Sequence, residues 1–276
     1  RVTDSGNPAL SVDVPVAIAI NNVNEAPVVS NDSFTVSESA PLGFIIGWVT
    51  ANDPDFGQTK TFAITAGNES GRFSIDSSTG AISRLAPLDF ETTPSYTLTV
   101  TVFDNGTPGL SGTGQVTIAV TDANDVPVVS SSSLSIAENS TVGTVVGTVS
   151  ASDQDAGQTL SYAITGGNTD GAFAINATTG VITVAGALDY ESRSSYSLLV
   201  TVTDNGTSSQ SAVGLVSISV TNVNDAPTIS AATFSISENS PVGFAVGIVT
   251  AGDQDSGQSL SYAITGGNTG GAFAIN

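Results

Sequence analysis

Carboxylates recur in this chain at intervals of 100 residues. Glu38, Glu138 and Glu238 are in register, as are Asp53/Asp153/Asp253, Asp55/Asp155/Asp255, Asp89/Asp189, Glu91/Glu191 and Asp4/Asp104/Asp204. Together with the linker acids Glu25, Asp122, Asp125 and Asp225, these positions hold 20 of the 25 acidic residues. A loop acid kept only for solubility could drift by several residues between copies at no cost, and these do not drift. The chain has no Cys and no His, which removes thiolate metal sites, disulfides, the commonest transition-metal ligand and the commonest general base. What remains is oxygen chemistry, and the simplest candidate is a hard cation bound by oxygen ligands.

The elements that must position these oxygens follow from composition and period. A repeat of 100 residues within 276 divides the chain into modules. Hydrophobic residues make up 39% of it, enough for small cores, and the β-branched and aromatic types among them favour strands. A net charge of −20 with five Lys and Arg excludes nucleic acid and anionic lipid as partners, because both need a basic footprint. Charged residues are only 11% of the chain and mean hydropathy is positive, so it is not too polar to collapse.

Three linkers stand out: Val23-Asn24-Glu25-Ala26-Pro27, Ala123-Asn124-Asp125-Val126-Pro127 and Val223-Asn224-Asp225-Ala226-Pro227. They predict the end of one repeat over 1–26, complete repeats over 27–126 and 127–226, and the first half of another over 227–276. Arg1-Val2-Thr3-Asp4 aligns with Thr101-Val102-Phe103-Asp104, and the last four residues align with Phe173-Ala174-Ile175-Asn176. The chain therefore reads as a window on a longer array. In repeat 127–226, strands are expected at Leu134 to Ile136, Gly143 to Ser150, Leu160 to Thr165, Ala172 to Ile175 and Val181 to Ala185. A sixth has Tyr196, Leu198, Val200 and Val202 alternating with Ser197, Thr201 and Thr203, and a seventh carries Val216, Ile218 and Val220. Seven short strands without helical periodicity signal a β-sandwich.

The acidic motifs, in this order and spacing, resemble tandem cadherin repeats. The early Glu is Glu38 or Glu138; Asp-x-Glu is Asp89-Phe90-Glu91 or Asp189-Tyr190-Glu191. Asp-x-Asp is Asp53-Pro54-Asp55, Asp153-Gln154-Asp155 or Asp253-Gln254-Asp255. The late lone Asp is Asp104 or Asp204, and the linker is Asp122-Ala123-Asn124-Asp125. The resemblance covers the whole chain. It implies an all-β fold of tandem seven-stranded Greek-key sandwiches, immunoglobulin-like and joined end to end, with Ca²⁺ between consecutive repeats.

Carried over residue by residue, the first junction takes Asn24, Glu25, Asp53, Asp55 and Asp104. The central one takes Glu38, Asp89, Glu91, Asn124, Asp125, Asp153, Asp155 and Asp204, and the last takes Glu138, Asp189, Glu191, Asn224, Asp225, Asp253 and Asp255. The middle of Asp-x-Glu is aromatic rather than Arg, Asn22 and Asn222 replace the leading linker Asp, Glu25 replaces the second linker acid, and the linker is one residue short before Pro. These departures look more like repeats of large bacterial surface proteins than animal receptors.

The central junction would gather seven carboxylates, and two carboxylates about 5 Å apart repel by roughly 3 kcal/mol at an effective dielectric near 20. Three Ca²⁺ would leave about one negative charge, and a mixed set of side chains and carbonyls suits Ca²⁺ better than the stricter octahedron of Mg²⁺.

The competing readings are blander. Asp-Asn-Gly at 104–106 and 204–206 is both a turn and a way of presenting a ligand. The Asn-x-Ser/Thr triplets at Asn105 and Asn176 read as chance matches, and Trp48 as packing. Asp89 and Glu91 resemble a glycosidase pair, but an active site is rarely duplicated in tandem. The resulting expectation is a non-enzymatic, calcium-rigidified segment of a cell-surface or secreted adhesion protein. It stands outside the cell, with no direct membrane insertion, and its partners are calcium, its neighbouring repeats and another adhesin or a surface glycan. The alternative is a passive spacer or an accessory module of a large secreted carbohydrate-active enzyme.

Overall fold

The computed structural model describes all 276 residues, and they divide into two units, Arg1–Ala123 and Asn124–Asn276. Each unit contains one complete sandwich.

In the second unit the four-stranded sheet has the order Ser132–Ala137, Ser211–Thr221, Ser195–Thr203, Ser161–Gly166. The first of these runs parallel to Ser211–Thr221 and the other pairings are antiparallel. The facing sheet has the order Val145–Thr148, Val181–Val184, Phe173–Ile175. Numbered along the chain, the sheets are 1-7-6-3 and 2-5-4, a seven-stranded Greek-key sandwich as the sequence pattern implies. The first unit repeats it with Asp32–Ser37, Ser111–Thr121, Ser95–Phe103 and Thr61–Ala66 against Ile45–Trp48, Ala81–Arg84 and Phe73–Ile75.

The alternation expected over 196–203 is the buried face of the sixth strand. Leu198, Val200 and Val202 are wholly buried and Tyr196 nearly so, opposite the equally buried Val216 and Ile218 of the seventh. Fully burying side chains of this size stabilises by roughly 1.5–3 kcal/mol each, so this seam dominates the core. The Tyr196 ring meets Phe173 edge-on at 5.0 Å, as Tyr96 meets Phe73. One element escapes the hydrophobic pattern: the two-residue strand Val128–Val129 pairs with Ala151–Ser152, as Val28–Val29 does with Ala51–Asn52. This pairing ties the end of each linker to the segment just before Asp-x-Asp.

Trp48 departs from expectation. It ends the strand Ile45–Trp48, pairs with Ala81 and is 57% exposed, so it is a surface residue rather than a packing one.

The flanking segments carry little sheet. Residues 1–26 form the hairpin Val2–Thr3/Ser11–Val12, and the alternating Val14, Val16, Ile18 and Ile20 stay exposed. Over 227–276 only Thr228–Ile229 and Ala251–Gly252 pair. Phe234 and Ile236 remain exposed there, whereas the equivalent Leu134 and Ile136 pack on the core. Ser132–Ala137 is held by Ser211–Thr221, and residues 227–276 include no counterpart of that strand.

Candidate metal centre

The early Glu sits where the first strand ends. Its N–H donates to the carbonyl of the last strand's final residue, Glu38 to Thr121 at 3.2 Å and Glu138 to Thr221 at 3.0 Å, so the carboxylate is delivered to the start of the linker. Both carboxylates are buried and accept two backbone N–H groups. Glu38 takes Phe90 at 2.6 Å and Ala123 at 2.8 Å; Glu138 takes Tyr190 at 2.6 Å and Val223 at 2.7 Å. Only the backbone of the central Asp-x-Glu residue is used in these contacts. An aromatic at Phe90 or Tyr190 therefore leaves the arrangement intact.

Around these glutamates the acids converge. Carboxylate oxygens of Glu138, Asp189 and Glu191 all lie within 4.8 Å of one another. In the first repeat the equivalent triad is Glu38, Glu91 and Asp122. Asp122 takes the third place there, while Asp89 accepts from the backbone and hydroxyl of Thr92.

On the other side of each linker, Asp-x-Asp forms a turn in which the first carboxylate accepts the N–H of the second: Asp53 from Asp55 at 2.9 Å, and Asp153 from Asp155 and Asp253 from Asp255 at 3.0 Å. The second Asp then holds the linker backbone. Glu25 donates its N–H to Asp55 at 2.7 Å, Asp125 to Asp155 at 2.8 Å and Asp225 to Asp255 at 2.7 Å. Glu25 serves as well as Asp here, because again the backbone makes the contact. Asn22 also donates to Asp55.

The late Asp closes this half-site. Asp104 Oδ1 accepts from Gly106 at 3.0 Å and Leu110 at 2.9 Å, while its Oδ2 takes Nδ2 of Asn24 at 3.0 Å. Asp204 does the same with Gly206, Gln210 and Asn124, the last at 3.1 Å. The glycine of Asp-Asn-Gly is required by close approach: a Cβ on Gly106 would lie 1.9 Å from Asn24 Oδ1, and one on Gly206 only 1.4 Å from Asn124 Oδ1. The turn thus presents the carboxylate and makes room for the linker Asn.

The electrostatics divide along the same line. The backbone N–H groups of Leu110 and Gly106 and the Asn24 amide hold the Asp104 carboxyl below its ordinary value. Burial pushes Asp204 up, but donation from Asn124, Gln210, Gly206 and Ser209 outweighs it and leaves Asp204 lowered as well. Glu191 goes the other way, pushed up by desolvation and by the facing charges of Glu138, Asp255 and Asp225.

Those charges show that acids from both sides of the Asn224–Asp225 linker meet within the second unit. Asn139 donates to Asp225 at 2.9 Å, Gln254 to Asp189 at 3.2 Å and Asn222 to Glu191 at 2.8 Å. Asn224 turns its Nδ2 to the carbonyl of Asp225, at 3.1 Å. Glu138, Asp189, Glu191, Asn224, Asp225, Asp253 and Asp255 are therefore together. Within the second unit Asn124, Asp125, Asp153, Asp155 and Asp204 also form one group, and in the first unit so do Asn24, Glu25, Asp53, Asp55 and Asp104.

Two observations fit these groups to a hard cation. Asp53 Oδ2 and Asp153 Oδ2 are buried with no hydrogen-bond donor, an expensive state for a carboxylate oxygen unless a cation reaches it. The Glu138 triad brings three acids within 4.8 Å of one another, and all-oxygen donors match Ca²⁺. The ligand motifs leave out Asp122, although it stands in the linker motif, and the glutamines Gln58, Gln158 and Gln210, which carry no charge. Gln58 and Gln158 share the period of 100, which is the signal that could have found them.

A cadherin domain model matches residues 32–121 and 132–221. The chain is 42% identical to the protocadherin-like wing polarity protein stan of Drosophila melanogaster over 99% of its length, and 36% identical to human protocadherin Fat 1 over all of it. It spans only 8% and 6% of those proteins. Among solved structures, mouse cadherin-23 EC22-24 matches with a TM-score of 0.59 at 31% identity, covering 85% of this chain and 80% of that one. Protocadherin gamma B2 extracellular cadherin domains 1-5 match with a TM-score of 0.60 at 29% identity, over 92% of this chain and 51% of that one. These relatives correct the expectation of a bacterial surface protein. The aromatic in Asp-x-Glu and the Glu25 substitution fall where the backbone makes the contacts described above, so they carry no information about source, whereas Asn22 and Asn222 use their side chains, on Asp55 and Glu191. The alternative of an accessory module of a carbohydrate-active enzyme finds no support among them.

Proposed function

The chain belongs to the cadherin family, and from that premise we propose that it is a calcium-rigidified, extracellular run of adhesion repeats with no catalytic role. The proposed borders are those of the linkers, 1–26, 27–126, 127–226 and 227–276. The observation that carries the reading is the meeting of acids around Asn224–Asp225. Glu138, Asp189 and Glu191 from one repeat stand with Asp225 and Asp255 from the linker and the next repeat; desolvation first, and then repulsion from Glu138, Asp255 and Asp225, push Glu191 up. Uncompensated, that repulsion opposes the contact; a divalent cation turns it into a clamp.

The proposed ligands there are Glu138, Asp189, Glu191, Asn224, Asp225, Asp253 and Asp255. Glu38, Asp89, Glu91, Asn124, Asp125, Asp153, Asp155 and Asp204 are proposed as ligands by repeat equivalence, and Asn24, Glu25, Asp53, Asp55 and Asp104 likewise. When bound, Ca²⁺ supplies positive charge and a flexible shell of six to eight oxygens; the chain's part is to hold the carboxylates on rigid strand ends and to fix the linker through Asp55, Asp155 and Asp255. Adhesion through another adhesin or a surface glycan is the role proposed for the parent protein.

The test is thermal unfolding. Extracellular calcium modules bind with Kd of roughly 10⁻⁴ to 10⁻³ M, so millimolar Ca²⁺ should raise the melting temperature by mass action on the folded state, and an equal concentration of Mg²⁺ should do much less. Superimposable curves in chelator and in a tenfold excess of Ca²⁺ would refute the assignment.

A further inference from the structure

Gln58, Gln158 and Gln258 share the register of the acids, and each makes the same contact. Nε2 donates to Oδ1 of the linker asparagine: Gln58 to Asn24 at 2.5 Å, Gln158 to Asn124 at 2.7 Å and Gln258 to Asn224 at 2.6 Å. The loop is shaped for it. Directly before each glutamine stands Gly57, Gly157 or Gly257, with φ of 86°, 85° and 84°, a conformation glycine adopts without strain. The contact persists although the linker changes around it, with Asn22, Asp122 or Asn222 ahead and Glu25, Asp125 or Asp225 behind.

In the two complete repeats the orientation of every amide in this chain of contacts is forced. The Asp104 or Asp204 carboxylate can only accept, so the linker Asn must turn its Nδ2 toward it. That leaves the Asn Oδ1 facing the glutamine, which must answer with Nε2. The glutamine Oε1 is consequently directed away from Asn, and in Gln58 and Gln158 it is buried with no donor. The same loop carries the other donorless buried oxygen, Asp53 Oδ2 or Asp153 Oδ2. One neutral and one charged bare oxygen thus recur within six residues of sequence, in two independently packed repeats. Buried acceptors are rarely left so, because each costs free energy until a donor or a cation reaches it.

We propose that Oε1 of Gln58 and of Gln158 is a calcium ligand, joining Asp53 and Asp153 in the cation seat on the downstream side of each linker. The proposal rests on the calcium reading above and adds a residue class to it. A neutral amide oxygen raises the ligand count without adding to a crowd of negative charges, which favours the larger shell of Ca²⁺ over the six-fold shell of Mg²⁺. Gln258 lacks the last member of the relay, since no late Asp follows it within residues 227–276, and its oxygen is not among the buried donorless ones.

Calorimetric titration of the whole chain with Ca²⁺ separates ligation from mere positioning, using two double variants. Gln58→Leu/Gln158→Leu removes both the oxygen and the donor; Gln58→Glu/Gln158→Glu keeps an oxygen but cannot donate to Asn24 or Asn124. If Oε1 is a ligand, the leucine variant loses about tenfold or more in affinity at two sites, the scale at which groups around a metal act, and the glutamate variant binds at least as tightly as the native chain. Equal weakening in both variants would make the glutamines positioning residues only and overturn the proposal, as would unchanged binding in the leucine variant, the result expected if a water satisfies Oε1. Melting in chelator confirms that the variants fold. Failure of the native chain to bind Ca²⁺ at all would instead overturn the calcium reading itself, a different and recognisable result.

Discussion

At the scale of single residues, the structure distinguishes atoms that must be what they are from atoms that need only be present. Gly206 belongs to the first kind: with a Cβ 1.4 Å from Asn124 Oδ1, either the loop or the asparagine has to move. Gly206→Ala should cost about 1–3 kcal/mol, the usual range for overpacking, and should also weaken Ca²⁺ binding through displaced Asn124. Gly266→Ala, where the new methyl meets nothing within 4 Å and φ is unexceptional, should leave melting and calorimetry unchanged. Glu191 offers a sharper test because its effect changes sign with calcium. Its pKa is raised above 4.5, so the folded chain holds that proton more tightly than the unfolded one. The stability this contributes is complete below the unfolded value and is lost as pH rises through the folded one, leaving a desolvated charge and its repulsion at neutral pH. Glu191→Gln should therefore raise the melting temperature in chelator and lower it in millimolar Ca²⁺. Asp104 and Asp204 run oppositely: their depressed pKa values contribute stability above about pH 3.8 that disappears as pH falls through the folded values.

At the scale of elements, the strand pattern and the acid register were both legible in the sequence, each for its own reason. Alternation over Tyr196 to Thr203 reports directly on which side chains face the core, and the fixed spacing of acids reports on strand ends that cannot slide. What stayed hidden was what strand alternation and formal charge do not encode. Val128–Val129 is too short to show a period, Trp48 sits in an apolar run yet faces outward, and the glutamine contacts use an uncharged side chain whose meaning appears only beside Asn124. The aromatic at Phe90 or Tyr190 is a departure in side chain only, at a place where a backbone N–H makes the contact. This division of labour predicts that core and site can be damaged separately. Leu198→Ala, at a wholly buried position of the long sixth strand, should cost about 2–5 kcal/mol in chelator and in Ca²⁺ alike. A loss seen in only one of the two conditions would mean that the sandwich core and the acidic ends are coupled.

At the scale of the whole molecule, a charge of −20 on 276 residues is a mechanical fact as well as an electrostatic one. The sandwiches are held by apolar seams that contain no charge, whereas the acids gather at the linkers, where repulsion acts between elements joined by only a few residues of chain. If the proposed cations bind at the linkers, they should change how freely consecutive repeats move far more than they change the repeats. Added NaCl screens exposed pairs beyond a Debye length of about 8 Å at 0.15 M, but it screens partly buried carboxylates in contact much less, so it should not substitute for a divalent ligand. Small-angle scattering of the native chain should accordingly give a narrower and longer distance distribution in 2 mM Ca²⁺ (roughly the upper range of the Kd expected for such sites) than in chelator with matched ionic strength. Strand content by circular dichroism should be retained in both. If scattering and circular dichroism change together, calcium is holding the sandwiches themselves; if neither changes, the acids do not govern the linkers and the chain is a spacer whose stiffness is independent of calcium.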